Sequence, residues 1–198
     1  MLRIKHAVAG GLIVAAIAFF ASGGAAGESG APLALVGTKK TLFISKPGSY
    51  YLRNNLVSVL TTGPVVLVKA SNVLLNLNGY SIIGPGGFGT TSFGILANPG
   101  VANVTVVGGT ITGIAGAAVN LGPNSEVSGM HIVGNSGDGV DCASGCLISG
   151  NVIADNGGAG ISLSDSTSGF QNNVLNGNVS GIAGGTSLGH NLVNGSPE

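Results

Sequence analysis

The sequence predicts an all-β solenoid, a single-stranded parallel β-helix of about 21 residues per coil, and three columns of residues predict it. Ile111, Ile132, Ile153 and Val174 recur at a constant step of 21. Val119, Val140, Ile161 and Ile182 keep the same step, each behind a small residue: Ala118, Gly139, Gly160 and Gly181. Leu121, Cys142, Leu163 and Gly184 form the third column. A fixed period in this range marks stacked units that bury one continuous core between neighbours. Three short strands and three turns fill one such coil, whereas the shorter hexapeptide rung of left-handed solenoids does not fit the step. Each coil then rises ~4.8 Å.

The first element is a leader. Arg3, Lys5 and His6 precede an apolar run from Ala7 to Phe20, which ends in small residues up to Ala26. That pattern is a signal peptide over residues 1–26, so the mature chain is expected to be secreted or periplasmic. The run falls short of the ~20 apolar residues a membrane-spanning helix needs, so no transmembrane segment is expected in the mature chain. Residues 27–45 read as a flexible segment and an N-terminal cap, with Lys39 and Lys40 guarding the exposed strand edge. Residues 46–198 read as the solenoid.

Within the solenoid, Lys46-Pro-Gly-Ser-Tyr-Tyr-Leu52 is a turn running into a strand, and strands follow at Val65–Lys69 and Val73–Leu77. Asn78-Gly79 supplies a sharp turn, since both residues accept positive φ. Ile82 and Ile95 continue the columns at a separation of 13 where later coils have 8, which puts an insertion of five between Gly84 and Gly94. An insertion of three falls between Ala97 and Asn103. Such insertions become loops on the outside of a repeat protein, and the loop carrying Phe88 is the expected protrusion. Asn135 and Asn156 share one register before glycine-rich corners. Asparagine there is expected to accept a left-handed conformation and to bond its counterpart in the next coil.

Charge is divided along the chain. From Gly27 to Lys69 there are five cations and Glu28, a balance of +4; from Ala70 on there are six carboxylates and no cation, a balance of −6. The acidic coils repel phosphate, so nucleic acid is excluded as their partner, as are strongly anionic glycans.

The Lys46 to Leu52 segment, the stretch Asn72-Val-Leu-Leu-Asn-Leu-Asn-Gly-Tyr-Ser-Ile82 and the later Gly-Ile and Asn-Val repeats resemble the secreted right-handed parallel β-helix proteins of the pectin-lyase-like superfamily. The resemblance covers residues 44–194. It implies a right-handed coil, a polysaccharide as partner, and a polysaccharide lyase or glycoside hydrolase wherever a catalytic set is present. The related motif carries Asp where this chain has Asn76.

The candidate catalytic pair is Asp138 and Asp141 in Gly137-Asp-Gly-Val-Asp-Cys142, which resembles an acidic motif of polygalacturonases. Inverting hydrolysis needs one carboxyl to donate a proton and another to activate water across ~6.5–9.5 Å. The bland reading is a solvated turn pair: the second acidic motif is missing, and the pair Gly189-His190 lacks a following basic residue. Calcium takes six to eight oxygens, but the equivalents of Asp138 in adjacent coils are Ala117 and Ala159, so no cofactor and no metal site are assigned. His131 is read as a lone outward histidine. Tyr80, Phe88 and Phe93 are the candidate ligand-binding aromatics, since sugar rings stack on such faces; core packing explains them equally well. Cys142 and Cys146 either bridge across the Ala143-Ser144-Gly145 turn or stay as two buried thiols. The functional expectations are therefore an exported glycan-binding or glycan-modifying protein and, as the alternative, a non-catalytic surface or periplasmic scaffold. Oligomeric state is not legible in the sequence.

Overall fold

A computed structural model describes residues 30–33, 40–86 and 91–198. Residues 1–26, read as a signal peptide, and Phe88 lie outside the described residues. Strands stack in parallel on three faces, and the chain visits the faces in a fixed order in every full coil. Face one is built from Ala31–Leu33, Gly48–Leu52, Val73–Asn76, the first halves of Val104–Thr112 and Glu126–Val133, Leu147–Ser149, Gly169–Gln171 and Thr186–Ser187. Face two takes Leu56–Val57, Ser81–Ile83, the second halves of the two long strands, Val152–Ala154, Val174–Asn176 and Leu192–Val193, and the antiparallel strand Ser196–Pro197 closes it. Face three runs Leu42–Ile44, Thr62–Val68, Thr91–Ala97, Val119–Leu121, Val140–Cys142, Ala159–Leu163 and Ser180–Ala183. The strands at 31–33 and 42–44 fall in the stretch read as the cap, and both pair as coil strands.

The columns fill the interior. Ile82, Ile111, Ile132 and Ile153 stack on face two, and Val66, Ile95, Val119, Val140 and Ile161 stack on face three, all fully buried. A column the periodicity did not reveal, Leu75, Val106, Val127, Ile148 and Phe170, lines face one. Each such side chain contributes about 1.5–3 kcal/mol by leaving water.

One expectation fails. Ile153 pairs with Leu175, a step of 22 and not 21, while Val174 pairs with Val152 and is 42% exposed. Face three explains the error: Cys142 pairs with Leu163 and Ile161 with Ile182, both at a step of 21. One residue is therefore gained between Leu163 and Ser168 and one lost between Asn178 and Ser180. The gain sits in a turn where Asp165 Oδ1 accepts from the backbone N–H and hydroxyl of Thr167.

At the corner after face two in the middle coils, a residue with positive φ precedes an inward residue. Gly134, Asp155 and Gly177 have φ of 67°, 53° and 66°, and each precedes a ladder asparagine. The left-handed conformation expected at Asn135 and Asn156 thus belongs to the residue before each, because the inward asparagine must extend its amide into the stack. The bonding is as expected. Asn135 N–H and Nδ2 both donate to Asn156 Oδ1, and Asn156 Nδ2 donates to Asn178 Oδ1 at 2.8 Å. A second ladder, Asn151, Asn173 and Asn191, does the same behind Gly150, Asn172 and His190. Among the described residues no helix is long and apolar enough to cross a membrane.

Candidate functional site

Asp141 lies on face three and Asp138 at the corner before it, and both carboxylates are engaged in coil-to-coil bonds. Asp138 Oδ1 accepts from the backbone N–H of Ala159 at 2.7 Å. Asp141 Oδ2 accepts from Asn120 Nδ2 at 2.7 Å, in register with Asn120 below and Ser162 above. Burial holds the Asp141 carboxyl above the usual carboxylate range, and the nearby charge of Asp138 adds to the effect. His131 is exposed on another sheet, between Thr110 and Val152, and His190 sits at a corner of the last coil. The structure does not bring either histidine to the aspartates. Among the described residues, no three His, Cys, Asp or Glu side chains cluster as a metal would require.

The raised carboxyl makes a stability prediction. A group whose folded pKa exceeds its unfolded value stabilises the fold when protonated, and that stability is lost as pH rises through the folded value. Asp141→Asn keeps an acceptor for Asn120 and removes the half-buried charge. Its melting temperature is expected above the parent's at pH 7, with the gap closing as the medium is acidified; a variant melting below the parent at pH 7 contradicts this.

Cys142 and Cys146 are joined by a disulfide across Cα atoms 6.4 Å apart, both sulfurs being buried in the core. Tyr80 and Phe93 stand at different places in the coil, before face two and at the start of face three, and Phe88 lies outside the described residues. Tyr80 is half-buried at the corner after Leu77, where its carbonyl accepts from Thr110 N–H. Phe93 pairs with Pro64 at the start of face three. An aromatic not singled out by the sequence, Phe43, is 45% exposed with Lys69 Nζ 4.1 Å above its ring.

The concave surface lies elsewhere, where the long strands 104–112 and 126–133 bend between faces one and two. A shallow groove of about 430 Å³ is lined there by Asn76, Asn78, Gly79, Gly108, Gly109, Thr110, Gly129 and His131. Glycine is required at its floor: a Cβ on Gly109 would stand 2.4 Å from Leu77 Cβ and 2.5 Å from Tyr80 O. Asn76 Oδ1 accepts from Asn78 N–H at 2.7 Å, which fixes the Asn78-Gly79 turn at the rim. A second groove of about 350 Å³, lined by Ser49, Asn72, Leu74, Asn103 and Thr105 among others, opens at the start of the strands 48–52, 73–76 and 104–112. The only advance signal for the floor was the doublet Gly108-Gly109 interrupting a strand pattern, which marks a bend or a close approach of backbone.

Parallel strands stacked on three faces around a dry column, with polar grooves outside, define a β-solenoid. The family described as "Right handed beta helix region" matches residues 42–196, and the chain belongs to it. Comparison with curated proteins and with solved structures returns no match.

Proposed function

We propose that the chain is an exported protein that holds an uncharged glycan on its surface without cleaving it. The observation that carries this reading is the larger groove. No carboxylate, lysine or arginine lines it, its floor is glycine, and its rim offers amide, hydroxyl and imidazole groups. Amides donate and accept at once, as a sugar hydroxyl does, so such a rim suits a neutral polyol. Both grooves draw on the strands 73–76 and 104–112, so an extended chain lying along those strands meets both. Against hydrolysis stands the use of both carboxylates: Asp138 holds a backbone N–H and Asp141 holds Asn120, and neither faces the groove strands.

A panel of neutral polysaccharides, followed by calorimetry and by reducing-end release, tests this. At least one is expected to bind without product. Thr110→Ala with His131→Ala, two neutral hydrogen bonds, is expected to weaken it about tenfold or more, and Asp141→Asn to leave it unchanged. Product that disappears in Asp141→Asn while the melting temperature stays at or above the parent's makes the chain a glycoside hydrolase or lyase instead. Absence of binding across the panel ends the glycan reading and leaves the non-catalytic scaffold.

A further inference from the structure

The two ends of the column carry a pattern that the grooves explain only at Leu74. Eight large hydrophobic side chains are exposed among the described residues: Phe43, Val57, Val59 and Leu74 in the first coils, and Val174, Val179, Leu188 and Leu192 in the last. Among the described residues, none lies between residues 75 and 173. Exposed apolar groups gathered at two ends rather than scattered mark contact surfaces. The ends also differ in sign. Lys40, Lys46, Arg53 and Lys69 all belong to the first coils, and the carboxylates nearest the other end are Asp155, Asp165 and Glu198.

Among the described residues, strand edges are open at both ends of the same face. Leu42–Ile44 pairs only with Thr62–Val68, and Ser180–Ala183 only with Ala159–Leu163, among the described residues. Face two, by contrast, is closed by the antiparallel strand Ser196–Pro197, whose proline has no N–H to offer. Both open edges run in the same direction within one parallel sheet.

We propose that the solenoid associates head to tail with a second copy of itself, Ser180–Ala183 of one molecule pairing in parallel with Leu42–Ile44 of the next. In that register Ile182 stacks on Leu42 and continues the column Leu42, Val66, Ile95, Val119, Val140 and Ile161 across the junction. The contact covers Val179 and Leu188, and sets an acidic end against a basic one. Like charges set against each other across a contact oppose it, so Lys40 and Lys46 select the acidic end. Because the interface is heterologous and leaves one free end on each side, assembly does not close at a dimer.

Sedimentation velocity on protein recovered from an exporting host tests this, over about a hundredfold concentration range. A series growing past the dimer is expected at about 0.02 M salt, where screening is weak. At about 0.5 M salt, where the screening length falls to about 4 Å, association is expected to weaken about tenfold or more. Val179→Lys with Leu188→Lys, both at exposed sites, is expected to leave a monomer. Lys40→Glu with Lys46→Glu is expected to do the same from the other end, and adding Ser166→Lys and Glu198→Lys to that chain to restore the series. A monomer throughout at low salt, a species that stops at the dimer, or charge-reversed chains that assemble like the parent would each overturn the proposal.

Discussion

Replacing Asn156 with alanine is expected to cost about 3–5 kcal/mol of unfolding free energy, a large share of the ~5–15 kcal/mol that a domain has. The side chain is 1% exposed and makes four bonds across three coils. Its Oδ1 accepts from the Asn135 backbone N–H and from Asn135 Nδ2 at 3.1 and 2.9 Å. Its Nδ2 donates to Ile132 O at 3.1 Å and to Asn178 Oδ1 at 2.8 Å. Alanine leaves the Asn135 N–H and one Nδ2 hydrogen of Asn135 buried without an acceptor, and each such group costs ~1–3 kcal/mol. Asn156→Asp is expected to be nearly as harmful at pH 7, because a carboxylate accepts from Asn135 but gives nothing to Ile132 or Asn178. The neighbouring Asp155→Gly is the internal control. Asp155 is exposed at φ 53°, in the corner column of Gly134 and Gly177, so glycine should leave stability within about 1 kcal/mol of the parent or raise it. Urea unfolding followed by far-ultraviolet circular dichroism reads all three. An Asn156→Ala chain as stable as Asp155→Gly would mean that the ladder orders the corner without stabilising it.

What the sequence disclosed and what it hid divide along a physical line. The face-two and face-three columns were legible because buried positions repeat one residue type, Ile or Val, at one spacing. The face-one column was not: Leu75, Val106, Val127, Ile148 and Phe170 differ in type, and their spacing runs 31, 21, 21 and 22. The second asparagine ladder escaped for the same reason, since Asn151, Asn173 and Asn191 stand 22 and 18 apart. Coils tolerate such changes because hydrogen bonds between coils fix position on each face separately, so a residue gained at one corner can be lost at the next. The acidic pair was legible as residues and not as roles. Nothing in Gly137-Asp-Gly-Val-Asp-Cys142 says that Ala159, one coil away, spends its N–H on Asp138. The groove was the least legible, being assembled from corner glycines and polar rims of three coils that obey no spacing rule.

The register change itself yields the second large prediction. A strictly constant step of 21 buries Val174, whereas the observed pairing buries Leu175 at 1% exposure between Ile153 and Val193. Leu175→Ala is therefore expected to cost about 2–5 kcal/mol, through lost burial and the cavity left under face two. Val174→Ala, at an exposed site, should fall within about 0.5 kcal/mol of the parent. In a stacked array each coil contacts only its neighbours, so damage near one end is felt first as opening of that end. Amide hydrogen exchange resolves this better than global melting. In Leu175→Ala, residues 175–198 should exchange about thirtyfold faster or more, the ratio equivalent to ~2 kcal/mol, while strands 104–112 and 126–133 keep their protection. The opposite ranking, with Val174→Ala the more damaging, would restore a uniform coil length and remove the turn at Asp165 as the place where the register shifts.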